Sequence, residues 1–190
     1  MQVERVIAGV ETLGPGKRIC IWVNGCNRDC AGCVSPELRK YKPENECDIT
    51  AVIGKFDLSR FDGVTVSGGE PFEQTAELAK LAEFVRSRGV KDVLVYTGYT
   101  IEQLRARKDD TTDYVLENIG VLIDGPYIDG ENNDKGNLKG SDNQRVIFVD
   151  DSLKDKYAAY YSDERKMQEF FMFPHMVAVG IPTKKFVDDF

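Results

Sequence analysis

The sequence predicts an α/β protein in which about five or six mainly parallel strands form a partial, open βα barrel. Short apolar runs rich in β-branched residues recur along the chain and end at glycine or polar residues, a pattern typical of buried strands. Helical patterns separate these runs, and the alternation indicates βαβ units. A complete eight-stranded barrel takes about 250 residues, whereas this chain has 190. We therefore expect an open barrel or, alternatively, a short doubly wound sheet.

The predicted strands follow one another at regular intervals. An edge strand is expected near the N-terminus, and the five core strands are predicted at 18–25, 63–69, 92–99, 120–127 and 144–150. Two helices are expected between them. The helix at 75–89 has its apolar residues on one face, namely Leu78, Leu81, Ala82 and Val85. The helix at 100–108 begins with Thr100 and has Gln103 three residues later, which resembles a capping box.

The predicted domain organisation is a single domain over residues 1–190, with a core at about 1–150 and a C-terminal helix-and-strand extension at about 151–190. Within the extension, we expect residues 150–173 to be largely helical and residues 176–182 to add a strand to the sheet. The polar stretch 128–143 is predicted to be a long surface loop.

Composition and charge limit the partners of the chain. The formal net charge of −7 argues against binding to a nucleic-acid backbone. The sequence contains no apolar run of the roughly 20 residues that a membrane helix needs, and its first residues do not resemble a signal peptide. We therefore expect a cytoplasmic protein without a nucleic-acid or membrane partner.

Polar or glycine-rich segments follow four consecutive core strands. A cysteine-rich segment follows the first, and the next three end in SGGEP (67–71), TGY (97–99) and DGPY (124–127). The carboxyl ends of parallel strands lie at the same edge of a sheet, where α/β proteins build their sites. The sequence therefore predicts one functional site formed by these four segments.

Three of the five cysteines are clustered, with three residues between Cys26 and Cys30 and two between Cys30 and Cys33. A disulfide framework is not expected in a chain with an odd number of cysteines and no secretion signal. A structural zinc ion prefers four ligands. Of the two remaining thiols, Cys20 lies within an apolar strand, where we expect a core residue, and Cys47 lies in an isolated polar segment.

An iron–sulfur cubane explains the number of clustered cysteines better, because three thiolates leave one iron open for chemistry. The alternatives are structural zinc and a nucleophilic cysteine. The second of these lacks a histidine nearby in sequence, since the only histidine is His175. We expect His175 to be structural.

The spacing Cx3Cx2C after the first core strand, together with SGGEP after the second, resembles the radical S-adenosylmethionine (SAM) enzymes. Further segments are similar to the anaerobic ribonucleoside-triphosphate reductase-activating proteins within that superfamily. These segments are GPGKR (14–18), IWVNGC (21–26), SPEL (35–38), YTGY (96–99), VLIDGPY (121–127) and GSDNQRV (140–146). The resemblance covers roughly residues 1–150.

The resemblance implies two cofactors and a set of residues that bind them. Cys26, Cys30 and Cys33 would hold a [4Fe–4S] cluster whose open iron binds SAM. The segment Gly68–Pro71 would receive the SAM amino group, and the backbone around Gly32 and Val34 would touch the adenine. The complete set of expected cofactor contacts is Gly32, Val34, Gly68, Gly69, Glu70, Pro71, Thr97, Gly98 and Asp124. Asp124 is equally well explained as part of a turn-forming Asp-Gly pair.

The resemblance also implies an activity. A one-electron donor such as flavodoxin or ferredoxin would reduce the cluster, and SAM would be cleaved to methionine and a 5′-deoxyadenosyl radical. That radical would remove a hydrogen atom from a backbone glycine of a large glycyl radical reductase subunit. No catalytic residue beyond the cluster and SAM is implied. The alternatives are a radical SAM enzyme with another glycyl radical enzyme or a peptide as its target, and a non-catalytic metal-binding protein.

Overall fold

The computed structural model describes residues 1–162, 164–172 and 174–188. Asp163 and Phe173, which belong to the predicted extension, and residues 189–190 lie outside the described residues. The strands are β1 (Val3–Val10), β2 (Arg18–Val23), β3 (Gly63–Gly68), β4 (Val93–Tyr96), β5 (Val121–Asp124), β6 (Arg145–Phe148), β7 (Met167–Met172) and β8 (His175–Gly180). The helices are α1 (Ile49–Ile53), α2 (Thr75–Ser87), α3 (Ile101–Arg105), α4 (Asp110–Asn118), α5 (Lys154–Tyr160) and α6 (Lys184–Asp188).

The first six strands form one sheet in the order in which they occur along the chain. Strands β2 to β5 pair in parallel, while β1 and β6 are antiparallel edge strands. The predicted α/β class and the six mainly parallel strands are therefore confirmed. The parallel strands end at Val23, Gly68, Tyr96 and Asp124, which places the four predicted site segments at the same edge of the sheet.

The helices α1 to α4 cover one face of the sheet. Alternate residues of β2, β3 and β4 face them, as expected for strands in which side chains alternate between faces. The four apolar residues predicted to share a face of α2 are completely buried: Leu78, Leu81, Ala82 and Val85. Thr100 and Gln103 form the predicted capping box at the start of α3. Among the described residues, no helix is both long and apolar enough to cross a bilayer.

The C-terminal part of the chain covers the opposite face. Tyr157 of α5 packs against Leu94 and Ile123, and the hairpin of β7 and β8 packs Val179 against Cys20. Cys20 is therefore a core residue, as predicted. The prediction that residues 150–173 are largely helical is wrong, because the helix ends at Tyr160 and β7 follows.

The strand predicted at 176–182 does form, but it pairs with β7 in a separate two-stranded sheet instead of extending the main one. Half-buried and exposed residues occur together in β7, because one side of the hairpin packs on the face of the main sheet. A hairpin that lies on this face does not pair with an edge strand of the main sheet. His175 lies at the exposed start of β8.

The stretch 128–143 is only partly a surface loop. Leu138 is completely buried beside Tyr157 and Leu94, so the middle of the loop contributes to the core. The surface loop was predicted from the many polar residues around Leu138. The single apolar side chain of Leu138 was not considered.

A buried ion pair lies at the edge of the sheet opposite the predicted site, where the parallel strands begin. Arg18 at the start of β2 donates from two guanidinium nitrogens to the carboxylate of Asp92, at 3.0 Å each. The Arg18 side chain is fully buried and also donates to the Thr65 hydroxyl at 2.7 Å. Lys156 and Tyr157 of the α5 region bind the same carboxylate, which ties this helix to the sheet.

Candidate functional site

The three clustered cysteines lie in a loop, residues 24–35, that begins where β2 ends; we call it the cysteine loop. Its first part is anchored by backbone hydrogen bonds, from Gly25 to the Leu38 carbonyl at 2.9 Å and from Cys26 to the Arg39 carbonyl at 3.0 Å. A bond from the Cys33 amide to the Cys30 carbonyl, at 3.3 Å, closes a turn between the last two cysteines. All three thiols are free and half-buried.

Positive and negative groups surround these thiols. The guanidinium of Arg39 donates to the Cys30 carbonyl at 2.7 Å and to Asp29 at 2.6 Å, and it also faces the Cys33 thiol. Burial raises the pKa of Cys26, and the nearby charges of Glu70 and the other two thiols raise it further. A bound cation would favour the thiolate form of Cys26.

The glycine pair at the end of β3 allows two backbone segments to approach each other. A Cβ atom on Gly68 would lie 2.5 Å from the Val23 amide nitrogen, and one on Gly69 would lie 2.4 Å from the Gly25 carbonyl oxygen. Gly69 and Glu70 donate backbone hydrogen bonds to Val23 and Gly25, at 2.7 and 2.8 Å. The lack of side chains at Gly68 and Gly69 therefore allows this segment to pack against the start of the cysteine loop. This packing accounts for both glycines without a bound ligand.

Glu70 connects the ends of β3 and β4. Its carboxylate is buried and accepts hydrogen bonds from the Thr97 hydroxyl and the Gly98 amide, each at 2.8 Å. It also accepts from the Phe72 amide at 3.0 Å, and so caps the short 3-10 helix that begins at Pro71. Burial raises the pKa of Glu70, although these hydrogen bonds oppose the shift.

Two side chains of the cysteine loop reach the segment that follows β4. The guanidinium carbon of Arg28 lies 4.7 Å from the centre of the Tyr99 ring, and the Asn27 side-chain amide donates to the Tyr99 hydroxyl at 3.0 Å. A Cβ atom on Gly98 would lie 2.5 Å from the Arg28 side chain, so this residue must be small. The Nε atom of Arg28 is buried and has no hydrogen-bond partner among the described residues.

The loop after β5 forms the other side of the site. A cavity of about 420 Å³ lies between the cysteine loop and this segment. It is lined by Asn27, Arg28, Asp29, Cys30, Pro126 and Tyr127. Gly32 is in contact with the same segment, since a Cβ atom there would lie 3.1 Å from Asp129 and 3.2 Å from the Tyr127 ring.

The predicted site residues differ in their surroundings. The segment Gly68–Pro71 and the pair Thr97 and Gly98 are brought together by the Glu70 carboxylate. Val34 is 61% exposed. Asp124 is fully buried, where it accepts from the Ile101 amide at 2.8 Å and pairs with Arg145. Its carboxylate is thus engaged by two partners within the protein.

The donor set fits an iron–sulfur cluster. Within the described residues, no three His, Cys, Asp or Glu side chains converge closely enough to hold a single metal ion. A cubane instead presents separate irons to separate thiolates, and it is held by cysteines of a short loop. Cys26, Cys30 and Cys33 match that requirement.

The comparisons with known proteins agree with this site. A family described as "4Fe-4S single cluster domain" matches residues 12–147, so the fold and the cysteine loop define an iron–sulfur protein of the single-cluster type. The anaerobic ribonucleoside-triphosphate reductase-activating protein of Vibrio cholerae is 31% identical, with 70% of this chain and 88% of the relative covered. The chain belongs to the family of these activating proteins.

Other relatives support the same assignment. The protein of that name from Enterobacteria phage T4 is 30% identical, with 70% of this chain and 85% of the relative covered. A pyruvate formate-lyase-activating enzyme of Staphylococcus aureus is 27% identical, with 75% of this chain but 59% of the relative covered. The predicted resemblance to the anaerobic ribonucleoside-triphosphate reductase-activating proteins is therefore confirmed.

Sequence analysis missed several residues that border the site. Arg28 was not predicted as a site residue, and Tyr99 was only the end of a motif, although the structure stacks one on the other. Arg107, whose guanidinium carbon lies 4.4 Å from the centre of the same ring, carried no signal in the sequence. The aromatic residues that end YTGY and VLIDGPY were the signal that could have indicated Tyr99 and Tyr127.

Proposed function

We propose that this chain is a radical SAM enzyme that generates a glycyl radical on the large subunit of an anaerobic ribonucleotide reductase. Cys26, Cys30 and Cys33 bind three irons of a [4Fe–4S] cluster and leave the fourth iron for SAM. When bound and reduced, the cluster supplies the electron that cleaves the sulfonium bond of SAM to give methionine and a 5′-deoxyadenosyl radical. The protein provides the ligands, the orientation and the exclusion of side reactions.

A single structural relationship carries this proposal. The start of the cysteine loop and the segment Gly68–Glu70 are hydrogen-bonded backbone to backbone. A ligand on the open iron would therefore lie beside this segment. In addition, Glu70 fixes Thr97 and Gly98 next to it, so that three strand ends form one continuous surface.

Each of these groups has a proposed part in binding SAM. The backbone of Gly68–Pro71 receives the amino group, while Thr97 and Gly98 contribute from the end of β4. The backbone around Gly32 and Val34 lies against the adenine. Asp124 binds Arg145 and the amide of Ile101 at the start of α3, and so holds these two groups in place beside the end of β5.

The proposal includes partners and architecture. The names of the relatives point to a reductase subunit as the target, and we propose flavodoxin or ferredoxin as the electron donor and the cytoplasm as the location. The sheet of six strands acts as an open, partial barrel within a single domain of residues 1–190. An open barrel suits a target that is a backbone loop of another protein.

The test begins with anaerobic reconstitution and a measurement of 5′-deoxyadenosine formed from SAM. The protein is then mixed, without oxygen, with SAM, a strong reductant and the large reductase subunit of the same organism. A glycine-centred radical should appear by electron paramagnetic resonance, and exposure to oxygen should then cut the subunit at that glycine. Cys30→Ala should abolish all three results, whereas Cys20→Ala, which changes a core cysteine, should retain them.

Two outcomes would change the assignment in different ways. If 5′-deoxyadenosine forms but the reductase shows neither radical nor cleavage, the target is another glycyl radical enzyme or a peptide. Because one relative is a pyruvate formate-lyase-activating enzyme, an enzyme of the pyruvate formate-lyase type is then the next candidate target. If a cluster forms but SAM is not cleaved, the enzyme assignment is wrong and a non-catalytic metal-binding protein remains.

A further inference from the structure

The C-terminal extension contains a buried arginine with an unusual set of partners. The side chain of Arg165 is 1% exposed and donates to five backbone carbonyls. Four of these belong to the loop after β5 and one to the extension: Lys135, Gly136, Lys139, Gly140 and Pro182. Three of the carbonyls, those of Lys135, Lys139 and Gly140, share the two hydrogens of Nη2, so one rigid guanidinium fixes the shape of the loop.

A second cation of the extension reaches the same loop closer to the site. The Nζ atom of Lys184 donates to the Asp129 carbonyl at 3.1 Å, and the Lys184 amide donates to the Asp134 carboxylate at 2.7 Å. Arg165 and Lys184 both lie beyond residue 147, where the match to the iron–sulfur family ends.

The fixed loop in turn holds two side chains against the cysteine loop. The backbone of Gly140, whose carbonyl Arg165 binds, lies against the Tyr127 ring, because a Cβ atom there would be 3.1 Å from that ring. The Tyr127 hydroxyl donates to Asp129 at 2.9 Å. Tyr127 and Asp129 both approach Gly32, next to Cys33. Tyr127 lines the cavity beside the cysteine loop, and Asp129 stands next to it against Gly32; we call these two residues the wall.

We propose that the C-terminal extension positions this wall, with Arg165 as the principal positioning residue and Lys184 as a second support. Contacts run without interruption from Arg165 through Gly140 to Tyr127 and on to the cysteine loop. The extension thereby sets how closely the cavity beside the cluster is closed to solvent. The closure of the cavity beside the cluster rests on the proposed function. The positioning of the wall by Arg165 is a property of the protein without cofactors.

The positioning is tested by hydrogen–deuterium exchange and mass spectrometry on the full-length protein without its cluster. In Arg165→Met, the amides of residues 127–140 should exchange roughly tenfold faster or more, since hydrogen bonds from a charged donor are lost. Arg165→Lys keeps the charge but not the guanidinium fork, so its exchange should be intermediate. Arg60→Met, which changes an exposed arginine outside the site, should match the wild type.

Unchanged exchange in a folded Arg165→Met protein would overturn the proposal. If that variant does not fold, Lys184→Met decides, because its side chain is 45% exposed and its loss does not empty a buried site. A faster exchange around residue 129 in Lys184→Met is then expected, and exchange equal to that of the wild type would overturn the proposal.

A second measurement tests the consequence at the cluster. After reconstitution to equal iron content, the cluster absorbance of Arg165→Met should bleach severalfold faster in air than that of the wild type or Arg60→Met. Equal bleaching with faster exchange would mean that the extension braces the loop without closing the cavity, which would overturn the role at the site. A wild-type protein that takes up no cluster would refute the proposed function, and the exchange result would stand independently.

Discussion

The guanidinium of Arg28 lies over the ring of Tyr99, 4.7 Å from its centre, and thereby joins the cysteine loop to the segment after β4. Arg28 stands between Cys26 and Cys30 in the sequence. The Tyr99 hydroxyl also donates to Glu73 at 2.6 Å, which ties the same ring to the segment after β3. A single aromatic side chain therefore links three of the four strand ends at the site.

Loss of the Tyr99 ring should weaken the hold on the cluster. In Tyr99→Leu, release of iron to a chelator should be about fivefold faster, which corresponds to about 1 kcal/mol for a cation–π contact. Tyr99→Phe keeps the ring face and should remain close to the wild type. Tyr114→Leu, which changes a partly exposed tyrosine of α4, serves as the matched control. An equal effect of Tyr99→Phe and Tyr99→Leu would show that the hydroxyl, not the stacking, is responsible.

Iron analysis tests the proposed ligands. Anaerobic reconstitution should give about four irons and four sulfides per chain, as one cubane requires. Alanine at Cys26, Cys30 or Cys33 should abolish this content. Alanine at Cys20, a core residue, or at Cys47, whose thiol donates to the Met1 carbonyl at 3.5 Å, should retain it. A full cluster in Cys30→Ala would contradict the assignment.

The structure changes what is expected of Gly69. From the sequence, a β-branched side chain there should block SAM while leaving the iron in place. In the structure, even the Cβ atom of Gly69→Ala would lie 2.4 Å from the Gly25 carbonyl, next to Cys26. We therefore expect both iron uptake and SAM affinity to fall in Gly69→Ala.

A matched control for this substitution is Gly130→Ala, whose Cβ atom would meet nothing within 4 Å and which should behave as the wild type. Iron content is measured by chelation and SAM affinity by equilibrium binding to the reconstituted protein. Full iron content with weakened SAM binding would support the original expectation from the sequence and contradict the steric reason given by the structure.

The parallel strands and the residues at their ends could be predicted from the sequence because both depend on short-range patterns. Apolar runs with glycine ends placed β2 to β6, and the cysteine spacing with SGGEP placed the site. Asp124 shows the limit of such patterns. Its position at a strand end was predicted, but its buried pairing with Arg145, twenty-one positions further along the chain, was not.

The extension was harder to predict for a related reason. Its second half packs through β7 and β8 onto the face of a sheet whose strands come from far earlier in the sequence, and no local pattern shows which face that is. Arg165 belongs to the stretch 150–173 that was expected to be largely helical, yet its side chain is buried among backbone carbonyls. Only the fold reveals that loop 128–143 supplies four of the five acceptors.

The buried pair of Arg18 and Asp92 should govern stability at acidic pH. Burial raises the pKa of Asp92, but the hydrogen bonds and charge of Arg18, together with hydrogen bonds from Lys156 and Tyr157, bring the pKa below the ordinary value of 3.8. A carboxylate whose pKa is lower in the folded state stabilises the protein above its unfolded pKa and loses that contribution as the pH falls. Wild-type protein should therefore lose more free energy of unfolding than Asp92→Asn between neutral pH and the range below pH 3.8.

The same pair predicts a large effect of Arg18→Met at neutral pH. Breaking a buried ion pair costs about 3–5 kcal/mol because it leaves an uncompensated buried charge, and we expect the lower end because Lys156 still binds Asp92 at 2.7 Å. Urea unfolding of the cluster-free protein measures both effects. Lys154→Met removes an exposed pair with Asp151 and should change stability little. If Arg18→Met is as stable as Lys154→Met, or if Asp92→Asn loses as much stability in acid as the wild type, the pair does not stabilise the fold in the way its geometry indicates.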